Sequence, residues 1–302
     1  VSVRIVEVGP RDGLQNERET VPTSVKIELV ERLVAAGLNT VEITSFVRAD
    51  RIPQLADAAE VARGVHRAAG VRYLALAPNV RGLRTAIECG IDEVAVFVAV
   101  SETFNRHNVN RTVAESLEDA RQVVDAAHSN GVRTRAYVST VAGCPYEGQV
   151  APDSVVALAA RLVELGCDEL SLGDTIGVGR PAQIAALIER VAAVSDLSQL
   201  AFHGHDTYGM GVANALAAIE VGVGAIDSSV GGLGGCPFAG PQAKGNLATE
   251  DLVYALQGTP NDTGIDLAAL CDISQWMAGY LGHPPASSVA RAAMSDGPAG
   301  AT

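Results

Sequence analysis

Eight times along the chain, a short run rich in Val, Ile and Leu gives way to a polar or Gly-rich turn and then to an Ala-rich amphipathic stretch. The strand candidates are Val3–Val8, Thr40–Ser45, Tyr73–Ala77, Glu93–Val98, Arg133–Ser139, Glu169–Leu172, Leu200–His205 and Ala225–Ser229. A short continuous apolar run suits a strand covered on both faces, as in a parallel sheet. Several helical stretches stop at a glycine just before the next strand, at Gly37, Gly90, Gly131, Gly166 and Gly222. Glycine is the usual residue for the left-handed conformation that ends a helix. Eight β-then-α units predict an α/β fold, a (β/α)8 TIM barrel, with a doubly wound parallel sheet as the alternative. After Leu252 the helical pattern continues without a ninth strand, so additional C-terminal helices are expected. No linker or composition break divides the chain. Residues 1–292 read as a single (β/α)8 domain, and 293–302 as a flexible tail.

Composition narrows the class. The chain has 302 residues, 48% hydrophobic but only 4% aromatic, so branched aliphatics and Ala must fill the core. A net charge of −13 argues against nucleic acid as a partner. It leaves room for an anionic small molecule, because a local arginine or a metal can invert the local field. No run of about 18 apolar residues is present, so no membrane span is expected, and the first residues show no signal-peptide pattern. The five cysteines, Cys89, Cys144, Cys167, Cys236 and Cys271, are odd in number and widely spaced. That reads as reduced thiols and a cytoplasmic location.

Barrel chemistry gathers at the C-terminal ends of the strands. The polar residues expected there are Arg11 and Asp12, Glu42, Asn79, Asp174, and His203 with His205. A Gly-rich loop, Gly231-Gly232-Leu233-Gly234-Gly235-Cys236-Pro237, follows the eighth strand, and Asn246 comes after it. Residues two apart on a strand share a face, so His203 and His205 would present two imidazoles side by side. Together with Asp12 and an amide oxygen from Asn246 they suit a hard divalent cation with positions left open for substrate. The cysteines do not match a structural zinc spacing, so Mg2+ or Mn2+ is the expected cofactor. Two neighbouring histidines without a ligand role are the plain alternative.

Other features are weighed the same way. Gly177-Val178-Gly179-Arg180-Pro181-Ala182 fits a dinucleotide turn, but Pro181 is better explained as a first-turn helix residue. Asp174 suits a helix cap. Glu42 lies among apolar neighbours, where a carboxylate needs a partner, and Arg11 is the natural one. Cys236, flanked by glycines, reads either as part of a plain loop or as a proton donor on a mobile one.

At these residues the chain resembles the 3-hydroxy-3-methylglutaryl-CoA (HMG-CoA) lyases of the metal-dependent TIM-barrel lyase and Claisen-condensing superfamily. The matching segments are residues 8–17 (VGPRDGLQNE), 44–47 (TSFV), 143–148 (GCPYEG), 171–179 (SLGDTIGVG), 203–209 (HGHDTYG), 231–237 (GGLGGCP) and 245–251 (GNLATED). The resemblance extends to about Ala292. It implies that Asp12, His203, His205 and Asn246 bind the metal and that Arg11 contacts the substrate. Glu42 and Asp174 would be supporting acidic residues, and Cys236 the cysteine of the active-site loop.

The implied reaction is a retro-Claisen cleavage of HMG-CoA to acetyl-CoA and acetoacetate by a carbon–carbon (oxo-acid) lyase, as in leucine degradation and ketone body metabolism. Its partner is a CoA thioester, with neither nucleic acid nor membrane involved, and a homodimer is admitted. One loop departs from the family: Arg48-Ala49-Asp50-Arg51-Ile52-Pro53-Gln54 stands where a small residue, a proline and a basic residue are common. That opens the alternative of a longer substrate, such as an isohexenyl-substituted glutaryl-CoA. Arg18, near Glu17, is able to contact phosphate. An acetyl-CoA-condensing synthase and an inactive metal-binding scaffold are the remaining readings. The cysteine-loop string and the absence of a long C-terminal regulatory region speak against the synthase.

Overall fold

The computed structural model describes residues 3–235 and 245–295. The repeating pattern closes on itself. The strands β1 (Arg4–Glu7), β2 (Thr40–Ser45), β3 (Arg72–Leu76), β4 (Glu93–Ala99), β5 (Arg133–Ser139), β6 (Glu169–Asp174), β7 (Leu200–Gly204) and β8 (Ala225–Ser228) form a closed barrel in chain order. Every pairing is parallel, and β8 closes onto β1 with Ile5 opposite Ile226 and Glu7 opposite Ser228. Strand ends differ from the sequence reading by one or two residues.

The helices α1 (Thr23–Ala35), α2 (Ala58–Gly64), α3 (Val80–Glu88), α4 (Glu102–Val109), α5 (Val113–Ser129), α6 (Pro152–Glu164), α7 (Pro181–Val191) and α8 (Gly211–Val221) connect successive strands, with two of them between β4 and β5. After the barrel come α9 (Thr249–Leu256), α10 (Leu267–Leu281) and α11 (Ser288–Ser295). The five helix-ending glycines all have positive φ, from 70° at Gly131 to 109° at Gly222. Pro181 opens α7, which removes the dinucleotide reading of the preceding glycines. Asn79 caps α3 by accepting a hydrogen bond from Gly82 N at 3.0 Å, so it serves the helix rather than the rim.

The large aliphatic core lies between sheet and helices and includes Leu29, Val41, Val94, Leu172 and Phe202. A smaller cluster of Val6, Val8, Leu74, Ala201 and Ala225 sits apart from it. The barrel interior also carries charge. Arg4 and Arg135 both pair with Glu169, and Arg135 pairs with Asp227, linking β1, β5, β6 and β8. Buried charges persist only when paired, and these ion pairs run from the N-terminal end of the barrel, where Arg4 and Glu169 open β1 and β6, up to Asp227 on β8.

Candidate active site

The rim is built from strand ends. β1 runs into a single wide helical turn, Gly9–Gly13, which carries Arg11 and Asp12 into the barrel mouth. Such π-turns are frequent where side chains must be re-aimed at a functional site. Arg11 is 6% exposed. Its Nε donates to Glu42 Oε2 at 2.7 Å and its Nη1 to Asp12 Oδ1 at 2.6 Å. Glu42 is thus paired with Arg11, as its burial on β2 requires. Burial disfavours charge on Arg11, yet Glu42 and Asp12 hold it more firmly protonated than an ordinary arginine. Burial lifts Glu42 above the usual carboxylate range, against the pull of Arg11 and Tyr137.

Beside this pair lie the two histidines. One donor atom each from Asp12, His203 and His205 falls within 4.8 Å of the others. The two Nε2 atoms face each other at 3.3 Å, and His203 Nε2 lies 3.9 Å from Asp12 Oδ2. Gly204 between them turns outward, where a Cβ would come within 2.8 Å of the Phe202 ring. Burial, with His203 adding to it, lowers His205 to about 4, so the ring is neutral at physiological pH. Burial opposes charge on Asp12, but its other neighbours, Arg11 foremost, outweigh it and hold the carboxyl below its ordinary value. One carboxylate and two imidazoles converging on a point suit a divalent cation.

Asn246 joins the group through a bridge to His205. Its Nδ2 donates to Asp12 Oδ2 at 2.9 Å and to Leu233 O at 3.0 Å. Those two acceptors fix the amide orientation and leave the buried Oδ1 without a hydrogen-bond partner among the described residues. An orphaned buried amide oxygen is costly, and a cation would satisfy it. The residues therefore fit the metal that the resemblance implies.

Asp174 ends β6 and accepts from Gly179 N at 2.8 Å and Val178 N at 3.1 Å. Burial pushes it up to about 6, against those hydrogen bonds. Gly179 permits the approach, since a Cβ there would lie 2.8 Å from Asp174 Oδ2. Cys236 lies outside the described residues. The glycines leading to it are described: Asn16 Nδ2 donates to Gly235 O at 2.5 Å, and Gly234 packs against Asn246 and the Asp12 backbone.

Three buried residues that sequence reasoning passed over complete the arrangement. Tyr137 Oη donates to Glu42 Oε2 at 2.8 Å, and the Tyr137 ring lies between the Arg11 and Arg135 guanidinium groups, each with Cζ 5.1 Å from its centroid. Asp227 Oδ2 faces His203 Nδ1 at 3.2 Å and accepts from the Ser171 hydroxyl at 2.8 Å. Arg135 Nη2 reaches Asp227 Oδ1 at 2.5 Å. The available signal was parity: Arg135 and Tyr137 are two apart on β5 and so share a face.

Residues 2–277 match the family model described as HMGL-like. The chain belongs to this family. Among curated relatives, the cytoplasmic 3-hydroxy-3-methylglutaryl-CoA lyase of Danio rerio is 49% identical over 97% of this chain and 87% of the relative. The 3-hydroxy-3-isohexenylglutaryl-CoA/hydroxy-methylglutaryl-CoA lyase of Pseudomonas aeruginosa is 48% identical over 97% of each. The crystal structure of hydroxymethylglutaryl-CoA lyase from Pseudomonas aeruginosa superposes with a TM-score of 0.94 at 47% identity, covering 98% of both chains. The relatives are named cytoplasmic in some cases and mitochondrial in others. Among the described residues, no helix is long and apolar enough to cross a membrane.

Proposed function

We propose that the protein is a divalent-metal-dependent lyase that cleaves HMG-CoA to acetyl-CoA and acetoacetate. The carrying observation is the Asp12–His203–His205 cluster directly beside Arg11 at the C-terminal rim of a barrel of this family. Asp12, His203, His205 and Asn246 would hold the ion, with Mg2+ or Mn2+ the choice that suits their oxygen and imidazole donors. A bound divalent ion supplies Lewis-acid polarisation and a template for substrate oxygens.

The chain's own residues account for the remaining steps. The tertiary hydroxyl of the substrate gives up its proton to a rim carboxylate. Glu42 is engaged by Arg11 and Tyr137, whereas Asp174, at about 6, is poised to take up and return a proton near neutrality. The alkoxide electrons form the ketone of acetoacetate as the C–C bond breaks, and the bonding pair passes to the enolate of acetyl-CoA. Arg11, held rigidly by Glu42 and Asp12, offers fixed positive charge to the enolate oxygen. Cys236 would deliver a proton to the enolate carbon. Arg18, exposed beyond Glu17, would contact a phosphate of CoA.

A second reading concerns the substituent at C3. The relative named for both isohexenylglutaryl-CoA and HMG-CoA is as similar as those named for HMG-CoA alone. The divergent 48–54 loop follows β2 on the same rim and is the segment of this chain suited to touch that substituent. The test is acetyl-CoA release by the metal-loaded protein from HMG-CoA and from 3-hydroxy-3-isohexenylglutaryl-CoA at equal concentration, with acetoacetate the co-product from HMG-CoA alone. Metal-dependent acetoacetate formation supports the reading. Cleavage of the longer thioester alone moves the assignment to the second reading, and cleavage of neither overturns both.

A further inference from the structure

His203 and His205 have similar sequence settings, but the structure treats them differently. His205 Nδ1 is buried with no hydrogen-bond partner among the described residues. His203 Nδ1 faces Asp227 Oδ2 at 3.2 Å. We infer that Asp227, clamped by Arg135, is a positioning residue that keeps hydrogen on Nδ1 of His203 and so leaves Nε2 free to bind a cation. The inference deepens the proposed metal site and rests on it.

The hydrogen-bond count around Asp227 carries the argument. Oδ1 receives Arg135 Nη2, and Oδ2 receives the Ser171 hydroxyl. The Arg135 and Asp227 side chains are both 0% exposed, so neither faces bulk solvent. A carboxylate paired with a guanidinium only accepts, so the ring nitrogen facing it must donate. Hydrogen on Nδ1 leaves the lone pair on Nε2, the atom that points toward Asp12 and His205. An outer partner of this kind sets the tautomer and orientation of a ligating imidazole. Arg135 is held in turn by Glu169, which also takes Arg4. The orientation of one rim histidine is thereby tied to ion pairs deep in the barrel.

The carboxamide of Asp227→Asn has one acceptor oxygen. The Arg135 guanidinium would claim it, since a charged donor forms the stronger hydrogen bond. The amide NH2 would then face His203 Nδ1, which must accept. Hydrogen moves to Nε2, and that nitrogen no longer binds a cation. In the double variant Arg135→Met/Asp227→Asn the amide oxygen is released and can turn back to His203, while Glu169 keeps Arg4.

Two measurements test this. The first is 15N NMR of the histidine rings in metal-free protein, which reads the tautomer directly. The second is Mn2+ titration of wild type, Asp227→Asn, the double variant and His205→Ala, with circular dichroism confirming the fold. Expected are an Nδ1–H tautomer at His203 in wild type and Nε2–H in Asp227→Asn. Mn2+ affinity should fall about 10–100-fold in Asp227→Asn, the usual range for loss of an outer partner, and recover in the double variant. An Nε2–H tautomer in wild type overturns the inference even if the variants do not fold. Wild-type affinity in Asp227→Asn beside impaired His205→Ala overturns it while the metal site stands. Impaired Asp227→Asn without recovery in a folded double variant overturns the tautomer account. Wild-type affinity in both Asp227→Asn and His205→Ala overturns the metal site itself.

Discussion

Tyr137 directs its hydroxyl at the same Glu42 oxygen that accepts the Arg11 guanidinium, 2.8 Å from the phenol and 2.7 Å from Arg11 Nε. Glu42 therefore has two donors fixing its position, and Arg11 inherits that rigidity. Tyr137→Phe removes one donor but keeps the ring between the two guanidinium groups. A hydrogen bond to a charged group contributes about 1.5–3 kcal/mol, and Arg11 still holds Glu42. We expect kcat to fall about tenfold with Mn2+ affinity unchanged. Steady-state kinetics beside a metal titration check this, and unaltered kcat would remove Tyr137 from the machinery.

Arg11 and Cys236 are separable by conservative substitution. Arg11→Lys keeps the charge but loses the planar fork that spans Glu42 and Asp12. Loss of a preorganised donor at developing negative charge costs about 3 kcal/mol, near a hundredfold in rate, and Arg11→Lys should lose a rate factor of that order. Cys236→Ser offers a proton donor of similar size with a much higher pKa, so turnover should drop while metal content stays that of wild type. Near wild-type turnover of HMG-CoA in both variants would refute the proposed roles of these two residues.

Gly234 sits at φ +97°, and a Cβ there would lie 2.6 Å from Asn246 Nδ2 and 3.0 Å from the Asp12 carbonyl oxygen. Gly234→Ala is therefore strained twice, by backbone conformation and by contact. The clash pushes on the amide that bonds Asp12, so metal affinity should fall together with activity. Calorimetric titration with Mn2+ distinguishes this from an effect on the loop alone, which would leave affinity intact.

Glu7 is buried at the start of the site-bearing turn. It accepts from Gly9 N at 2.7 Å, Val230 N at 2.9 Å and Thr249 Oγ1 at 2.6 Å. Burial raises it to about 7 from 4.5, against those hydrogen bonds. A carboxyl raised in the folded state favours folding while it stays protonated. Its contribution is complete below about pH 4.5 and is lost as pH climbs through about 7. Glu7→Gln mimics the protonated form: its oxygen keeps the two backbone N–H groups, and its amide faces Thr249 Oγ1. The variant should be more stable than wild type at pH 8, by roughly 3 kcal/mol at most, with the gain vanishing toward pH 5. Urea unfolding at the two pH values measures it, and an equal difference at both would assign the effect to packing rather than titration.

The barrel was legible because it is a matter of local pattern. The eight apolar runs and the stopping glycines, Gly37 to Gly222, carry their meaning in period and backbone sterics. The Asp–His–His cluster was partly legible for the same reason. His203 and His205 share a face by strand parity, and Asp12 and Asn246 stand at strand exits. The supporting residues were not. Tyr137, Arg135 and Asp227 read locally as ordinary strand residues, and their roles arise only when β2, β5, β7 and β8 are brought round one axis.

Sequence alone determined the order of elements, the α/β class and the rim on which polar residues gather, because helix and strand periods and glycine stops are short-range properties. Only the tertiary structure decided which polar atoms pair. Arg11 meets Glu42 across 31 residues, Asp227 meets Arg135 across 92, and Asn246 meets Asp12 across 234. Barrel closure sets those distances. Buried charges then choose the nearest partner in space, because burial takes them away from bulk solvent.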